Sequence, residues 1–482
     1  MPREALAAAV TPGALAATAR RALLAAALTL TGCAATAPAD LARQQLDVVP
    51  ARFAAAHPSR EGTIEDGWLR SFGDPTLLAL ATEAMAGNPD LAVAAARWEE
   101  AGARIAVARS LLLPRADAGA QAGGGDAGAV VPARETHSIG AQASWEIDLW
   151  GRLRAGVRGA RDDAEAARLD WEAARLSLAA GVADAWFLAV AARELLEIDR
   201  DRLEEERRTA TIVRDKVETG VGTQLEAELG DANVAAAAAA VARDEAAQQE
   251  LVQALEALLG RYPASELAVS RRLPRIASEP TLGVPSQLLE RRPDILAADR
   301  RVSAAFHQRE AARAARLPQL TLTASLGSLL DPSAAIWSAG ANLLAPVLSG
   351  GRLTAEQEIA GARQRQALAA YVSTAIDAFR EVETALANEQ HLAARHAELD
   401  EAAARMRNAS RIAADRYEAG VQSIVELMVV RRQDFEIRAQ LLQVRTDRLR
   451  QRLALHRALG GDFEQPATNV AASAAGNPER RR

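Results

Sequence analysis

The feature of this sequence that most limits its fold is an internal duplication. Pro89-Asp90-Leu91 recurs as Pro293-Asp294-Ile295, and Leu113-Pro114 recurs as Leu317-Pro318, with an offset of 204 residues at both prolines. Three later landmarks recur with an offset of 200 residues: Gly151-Arg152-Leu153 at 351–353, Glu218-Thr219-Gly220-Val221 at 418–421, and Leu259-Gly260 at 459–460. A register kept over more than 100 residues predicts two repeats of one structure. The four-residue difference lies between Pro114 and Gly151.

Composition narrows the kind of structure that the repeats can form. The chain has 482 residues, more than the roughly 250 to 300 at which a single hydrophobic core stops growing. A hydrophobic content of 49% is far above that of a disordered chain, and 4% aromatic residues with long alanine-rich stretches is typical of extended helices. The net charge of −6 provides no basic surface for nucleic acid. Arginine supplies nearly all the cationic side chains, and Lys216 is the only lysine.

The amino terminus has the pattern of an export signal that ends at the single cysteine. Arg20 and Arg21 precede a short apolar run, which is followed by the small residues before Cys33. Leu30-Thr31-Gly32-Cys33 resembles the bacterial lipobox, which implies cleavage before Cys33 and a covalent lipid on it. Ala34 rather than aspartate after the cysteine favours the outer membrane. The alternative is an ordinary buried cysteine in a small helix.

These features divide the chain into five segments, which are predicted as follows. Residues 1–32 form a lipoprotein signal peptide, 33–73 a lipidated linker, 74–275 the first repeat, 276–463 the second repeat and 464–482 a tail. We find no other apolar run of about 18 residues and therefore predict no transmembrane helix.

Each repeat contains one segment with the period of a β-hairpin. From Ser138 to Leu149 apolar and polar residues alternate strictly, and Ala116, Ala118 and Ala120 form a fainter partner strand. The second repeat alternates in the same way around Leu322 and, less cleanly, around Trp337. The hairpins are predicted at about 115–149 and about 319–346.

Strands of about ten residues with one apolar and one polar face are typical of the wall of an outer-membrane barrel. A small soluble sheet packed on helices is the alternative. Four strands cannot close a barrel, since the smallest barrels have about eight, so the barrel interpretation requires an oligomer. Trp145, Trp150 and Trp337 are either interfacial belt residues or ordinary packing residues.

The remaining segments predict helices of matching length. Two proline-free stretches, 152–219 and 352–419, each give a helix of about 67 residues, or roughly 100 Å. The helices that begin at Pro89 and Pro293, added to those predicted at 223–259 and 423–459, have nearly the same combined length. Two stacked short helices could therefore lie beside each long one and form a uniform rod. Met428, Phe435, Leu442 and Leu449 recur every seven residues, as in a coiled-coil seam.

The sequence favours no enzyme. It contains no P-loop, HExxH, GxSxG or paired CxxC motif, and its six histidines are scattered, so we predict no catalytic residue, no metal site and no cofactor. A lipid-anchored periplasmic coiled-coil adaptor or scaffold without a channel is the alternative function. Such a protein would carry one helical hairpin inside β-rich domains, whereas here two strand hairpins alternate with two sets of helices.

With these features together, the chain resembles the TolC-like outer membrane factors, in particular the NodT-type efflux lipoproteins. The motifs that carry the resemblance are Phe72-Gly73-Asp74-Pro75, Asn88-Pro89-Asp90-Leu91, Glu146-Ile147-Asp148-Leu149-Trp150-Gly151-Arg152, Arg291-Arg292-Pro293-Asp294, and Tyr417 with Gly420. They span nearly the whole mature chain.

The resemblance implies an α+β membrane protein built as a homotrimer. Four strands per chain would form one twelve-stranded outer-membrane barrel, continued by a long periplasmic α-helical barrel. It implies the passive exit channel of a tripartite efflux pump, anchored in the outer membrane by the lipid on Cys33. The implied partners are outer membrane lipid, a periplasmic adaptor and an inner-membrane transporter of the RND type.

The resemblance also assigns residues at the periplasmic end. The turns at Gly220-Val221 and Gly420-Val421 are expected to be the helical tips that the adaptor contacts. Glu226 and Glu426 correspond to carboxylates that line the constricted mouth, and Tyr417 to a tyrosine that helps to hold it closed. In a trimer, six carboxylates around one axis would favour cations and raise one another's pKa values. The alternative is that both glutamates are solvated residues of a helix surface.

Overall fold

The computed structural model describes residues 49–55, 66–125, 134–276, 282–329 and 335–461. A 3₁₀ helix at Trp68–Phe72 precedes the two repeats. The first repeat consists of α1 (Pro75–Gly87), α2 (Pro89–Ser110), β1 (Arg115–Gly125), β2 (Arg134–Ile147), α3 (Arg152–Glu218) and α4 (Gln224–Leu258). The second consists of α5 (Pro285–Arg291), α6 (Pro293–Ala314), β3 (Gln319–Leu329), β4 (Ala335–Leu344), α7 (Arg352–Glu418) and α8 (Ile424–Ala458). The predicted duplication is therefore present element by element.

The helices form one layer with two open edges. α3 packs against α2 and α4 on one side and against α6 and α8 on the other, while α7 packs against α6 and α8. Both long helices contain 67 residues, so each spans roughly 100 Å. Within the described residues, α2 and α4 have their main long-helix contact with α3, which leaves their far sides, like that of α7, available at the edges of the layer.

The short helices stack end to end, as the sequence predicts. The Asn88 side chain accepts a hydrogen bond from Leu91 N at the start of α2 and donates to the Leu258 carbonyl at the end of α4, at 2.9 Å. Arg292 makes the same connection between α6 and the Ala458 carbonyl of α8, at 3.0 Å. A Cβ on Gly260 would lie 2.1 Å from the Gly87 carbonyl oxygen, so only glycine allows the ends of α1 and α4 to approach this closely.

The four strands form one antiparallel sheet in the order β1-β2-β3-β4. Its register places the apolar positions of both repeats on one face: Trp145 pairs with Leu322, Ile147 with Leu320, and Ala118 with Ala141. The opposite face carries polar residues, and the Ser325 and Ser338 hydroxyls hydrogen-bond across β3 and β4 at 2.8 Å. The alternation in the sequence therefore predicts the two faces correctly.

Both hairpins end slightly earlier than predicted, at Ile147 rather than 149 and at Leu344 rather than 346. In the first repeat the reason is local. The Asp148 carboxylate accepts hydrogen bonds from Leu153 N at 3.2 Å and from Arg154 N at 2.9 Å, so the chain turns to begin α3. Two tryptophans stabilise this junction by hydrogen bonds. Trp145 Nε1 donates to the Leu112 carbonyl at 2.9 Å, and Trp150 Nε1 donates to the Pro318 carbonyl at 2.7 Å. Trp337, by contrast, is exposed in the protomer.

The largest core lies where the 3₁₀ helix and α1 pack on the middle of the helical layer. Trp186 and Phe187 of α3 are fully buried there, with Leu255 of α4 and Leu453 of α8. In contrast to the sequence prediction, one 18-residue window of α3 is apolar enough to cross a membrane by length and composition, with a mean hydropathy of 1.4. Burial of α3 side chains between 179 and 190 in this core explains such a window without a membrane. The seam residues Phe435, Leu442 and Leu449 are also buried.

Candidate functional site at the helical tips

The two repeats build the same hairpin at the end of the molecule farthest from the sheet. After α3, Gly220 adopts φ +76°, and the amides of Val221 and Gly222 both donate to the Lys216 carbonyl at 2.8 Å. After α7, Gly420 adopts φ +73°, and Val421 N donates to the Arg416 carbonyl at 3.0 Å. A positive φ is costly for residues with a side chain, so glycine makes each five-residue reversal possible.

Glu226 and Glu426 each have a structural role in starting the helix that follows the turn. Glu226 Oε2 accepts a hydrogen bond from Thr223 N at 2.8 Å, while Thr223 Oγ1 accepts one from Glu226 N at 3.3 Å. Ser423 and Glu426 make the same reciprocal pair, at 3.2 and 3.3 Å. These are capping boxes, which satisfy backbone amides that a helix start leaves unpaired. The contacts described for both carboxylates use Oε2, so Oε1 is free of a described partner within the protomer.

A cation–π contact joins the tips of the two hairpins. Lys216 Nζ of α3 lies 3.8 Å from the centroid of the Tyr417 ring of α7 and donates to the Tyr417 carbonyl at 3.2 Å. Tyr417 is 6% exposed and packs with Val213, Ile424 and Leu427. Burial raises the pKa of Tyr417, and the nearby negative charge of Glu226 adds to the effect. The ring therefore stays protonated and uncharged at neutral pH.

An exposed apolar ridge runs along the first turns of each returning helix. The first tip ridge consists of Val221, Leu225 and Leu229, which are 79%, 68% and 38% exposed. The second tip ridge occupies the equivalent positions of the second repeat: Val421, Val425 and Val429 are 65%, 52% and 40% exposed. A step of four residues places Leu225 and Leu229, and likewise Val425 and Val429, on one side of the helix, while Val221 and Val421 precede them in the turns. Apolar side chains exposed in a row are typical of a contact surface.

The structure thus places all the site residues predicted for the mouth at one end of the molecule. It brings Tyr417 close to Glu226, and it puts Gly220, Val221, Gly420 and Val421 in the two turns. Cys33 lies outside the described residues, so the predicted lipid site stays a prediction. Sequence reasoning missed Lys216 as a partner of Tyr417, because 201 positions separate the two. The signal was present, since Lys216 is the only lysine in the chain.

The chain matches the outer membrane efflux protein family twice, at residues 80–261 and at residues 284–461.
The chain belongs to the outer membrane efflux protein family.

Known members of the family, similar over most of their length, agree with this assignment. The pyoverdine export outer membrane protein OpmQ of Pseudomonas putida is 34% identical over 438 residues, which cover 86% of this chain and 92% of that protein. OpmQ of Pseudomonas aeruginosa is 31% identical over 471 residues, or 93% and 98% of the two chains. The solved structure of the outer-membrane channel OprN matches with a TM-score of 0.79 at 28% identity, covering 86% of this chain and 97% of that one.

The members of this family are trimeric outer-membrane channels of tripartite efflux pumps. The chain is therefore an outer-membrane exit channel that extends into the periplasm, and the alternative of an adaptor or scaffold without a channel is not supported. Its open helical layer and its sheet with unpaired edges are one third of such a trimer. The relatives are channels rather than enzymes.

Proposed function

We propose that this efflux channel is held closed at its periplasmic end by the contact between Lys216 and Tyr417, and that it conducts without catalysis. The contact carries the proposal because it joins the ends of α3 and α7, the two long helices of the protomer. Opening the mouth requires the tips to separate, which would remove the ammonium from the Tyr417 ring and from its carbonyl. A partly desolvated cation–π contact contributes about 1 to 2 kcal/mol, enough to bias a gate without locking it.

Single-channel conductance in planar bilayers tests the Lys216 contact. We expect Lys216→Gln to raise the open fraction or the conductance, because glutamine lacks the charge that the ring attracts. Arg214→Gln is the matched control, since Arg214 lies half a turn away and pairs with Asp231 on the exposed side at 2.6 Å. Equal conductance in wild type, Lys216→Gln and Arg214→Gln would refute the role of the contact.

We further propose that Glu226 and Glu426 give the mouth a preference for cations. Each carboxylate has one oxygen without a partner among the described residues, which supports this, as does the equivalence of the two positions, which gives six carboxylates in a trimer. Glutamine also functions at this position of a capping box, so Glu226→Gln with Glu426→Gln removes the charges and keeps the helix starts. We expect the double variant to lose cation preference, measured as reversal potential in a salt gradient. Glu228→Gln, an exposed neighbour, should leave the preference unchanged. A double variant that keeps the wild-type reversal potential would identify the two glutamates as capping residues only.

The two tip ridges, with Gly220 and Gly420 setting their turns, are proposed as the contact surface for a periplasmic adaptor. Their exposure in both repeats supports this, since apolar residues at equivalent positions would otherwise face water twice. Cys33 is the only cysteine, so Val221→Cys in the lipidated chain would provide a single free thiol for crosslinking in cells. We expect an adduct of adaptor size from Val221→Cys and none from a cysteine at exposed Glu245, far along α4. Equal crosslinking from both positions would contradict the assignment.

We propose that Cys33 carries a lipid that anchors the chain in the outer membrane. The structure supports the reach of such an anchor. Phe53 is buried against α7, where Glu383 accepts hydrogen bonds from Ala54 N at 2.7 Å and Ala55 N at 2.9 Å. The 20 residues from Cys33 to Phe53 span at most about 70 Å, whereas α7 from Glu383 back to its first residue, Arg352, spans only about 47 Å. Loss of palmitate labelling in Cys33→Ala would support the anchor, and unchanged labelling would refute it.

The remaining partner in the proposal is an inner-membrane transporter of the RND type, which would supply the energy that a passive channel lacks. Co-purification after crosslinking, followed by mass spectrometry, tests this. Recovery of a transporter of another class with the adaptor would overturn the RND assignment and leave the channel itself unaffected.

A further inference from the structure

Two aspartates face each other inside the first helical hairpin. Asp199 of α3 is 8% exposed and Asp244 of α4 is 5% exposed, and one guanidinium group, that of Arg243, lies within 4 Å of both carboxyl groups. An ionised carboxylate can only accept hydrogen bonds, so a direct hydrogen bond between the two carboxyl groups needs a proton on one of them.

The arginine side chains near the two aspartates do not supply a donor to every carboxylate oxygen. Arg243 of α4 donates from Nε to Asp244 Oδ1 at 2.7 Å, and its Nη2 lies 3.8 Å from Asp199 Oδ2. Arg202, one turn along α3, also favours the ionised form of Asp199. Asp244 Oδ2 is buried and, within the described part of the chain, receives no hydrogen bond from a residue that is always protonated. A proton on Asp199 would give the pair a donor that two ionised carboxylates lack.

α8, which also packs against α3, pairs its charged side chains with residues other than Asp199 and Asp244. Arg431 of α8 lies against Glu205 and Glu206 of α3, and Arg438 lies 3.4 Å from Asp201. On α4, Glu245 pairs with Arg200 at 2.6 Å on the exposed side. The carboxyl pair is therefore enclosed by α3 and α4, with Arg202 and Arg243 as its charged neighbours.

The second repeat shows that the hairpin does not need this pair to fold. With the offset of 200 residues, the equivalents of Asp199 and Asp244 are Leu399 and Val444. Val444 is fully buried. One hairpin thus closes with apolar side chains at the place where the other uses two acids, so the acids add a property that packing alone does not require.

We propose that Asp199 and Asp244 form a proton-binding site that makes the contact between α3 and α4 respond to periplasmic pH. With the proton bound, one hydrogen bond joins the two helices. With the proton released, two negative charges face each other in a buried contact and repel. Because α4 is an edge helix of the protomer, loosening it changes the side of the wall that meets the next subunit.

The direction of the pH response follows from the pKa shifts of Asp199 and Asp244. Burial, and then the hydrogen bond and charge of Asp244, raise the pKa of Asp199 to about 6. Burial opposes ionisation of Asp244 as well, but hydrogen bonds from Arg243 and from Asp199 hold its pKa below the usual value. The protonated fraction of Asp199 should fall from about 90% to about 10% between pH 5 and pH 7. The contact is therefore tight in acid and weaker at neutral pH.

The test uses the full-length trimer in detergent. Infrared difference spectra between pH 5 and pH 7.5 should show a protonated carboxyl band that titrates near pH 6, absent from Asp199→Asn and retained in Asp201→Asn. Hydrogen exchange should show peptides around Asp244 exchanging several-fold faster at pH 7.5, after correction for intrinsic rates, than the equivalent peptides around Val444. Asp199→Asn should abolish that difference, because its amide donates to Asp244 at every pH.

Asp199→Leu with Asp244→Val, which copies the second repeat, should fold and should also lose the pH response. A titrating band that persists in Asp199→Asn, or equal pH dependence of exchange in the two hairpins, would overturn the proposal.

Discussion

The buried ion pair of the second hairpin gives the most quantitative prediction. Arg452 of α8 donates from Nε to Glu389 of α7 at 2.9 Å and also through Nη2, and the two side chains are 6% and 9% exposed. Removing one member breaks a buried ion pair, which costs about 3 to 5 kcal/mol. The equivalent positions of the first repeat hold Ala189 and Val252, both buried, so this place in the fold accepts apolar residues.

Glu389→Ala should therefore lower the thermal midpoint, whereas Glu389→Leu with Arg452→Met should nearly restore it. An unfolding entropy of about 2.1 cal/mol/K per residue gives about 1 kcal/mol/K for this chain, so the single variant should lose about 3 to 5 °C. The assay is thermal unfolding of the detergent-solubilised trimer, followed by circular dichroism. Glu401→Ala is the control, since its ion pair with Arg405 is exposed and should contribute less than about 1 kcal/mol. A double variant as unstable as Glu389→Ala would refute the broken ion pair as the cause.

Three further predictions concern the joints between elements. Burial, aided by the charge of Arg452, lowers the pKa of His456 to about 4, and His456 stacks on Trp68 at 5.7 Å. The neutral ring is favoured in the folded state, so stability should fall by about 3 kcal/mol as pH falls from 6.5 to 4, and His456→Phe should remove that acid sensitivity in thermal unfolding. Gly260→Ala should destabilise the folded chain by more than about 2 kcal/mol in the same assay, because the added Cβ clashes with Gly87 and the residue has a φ of +76°. Gly102→Ala, whose Cβ meets open space, should not destabilise the folded chain. Trp150→Phe should cost about 1 kcal/mol by losing the bond to Pro318, and no change in its thermal midpoint would contradict a fastening role.

Much of the fold can be predicted from the sequence, because the repeats and the strands each produce a periodic pattern in it. The 200-residue offset predicts the repeats, and strict alternation before Leu149 predicts the strand and the side that each residue faces. The strand ends two residues before the alternation does, because the Asp148 side chain accepts hydrogen bonds from amides in the first turn of α3, a contact that has no periodic signature.

The site was predicted less completely, for a different reason. Thr223 and Glu226 have the spacing of a capping box, so the local role of Glu226 could have been inferred from sequence. Contacts such as Lys216 with Tyr417, or Asp199 with Asp244, join residues far apart in the chain. They depend on the rotation of one long helix against another, which hydrophobic pattern alone does not fix to within one side chain.

The contact of Asn88 with the end of α4 has a consequence for where such a channel can accept inserted residues. An unbroken helical wall has no opening through which the chain could leave and return. Where α4 ends and α2 begins, the Asn88 side chain makes the connection, so the polypeptide can leave the wall once it has passed Gly260. Inserted segments could therefore be accommodated there, outside the wall, without altering the bore of the tube.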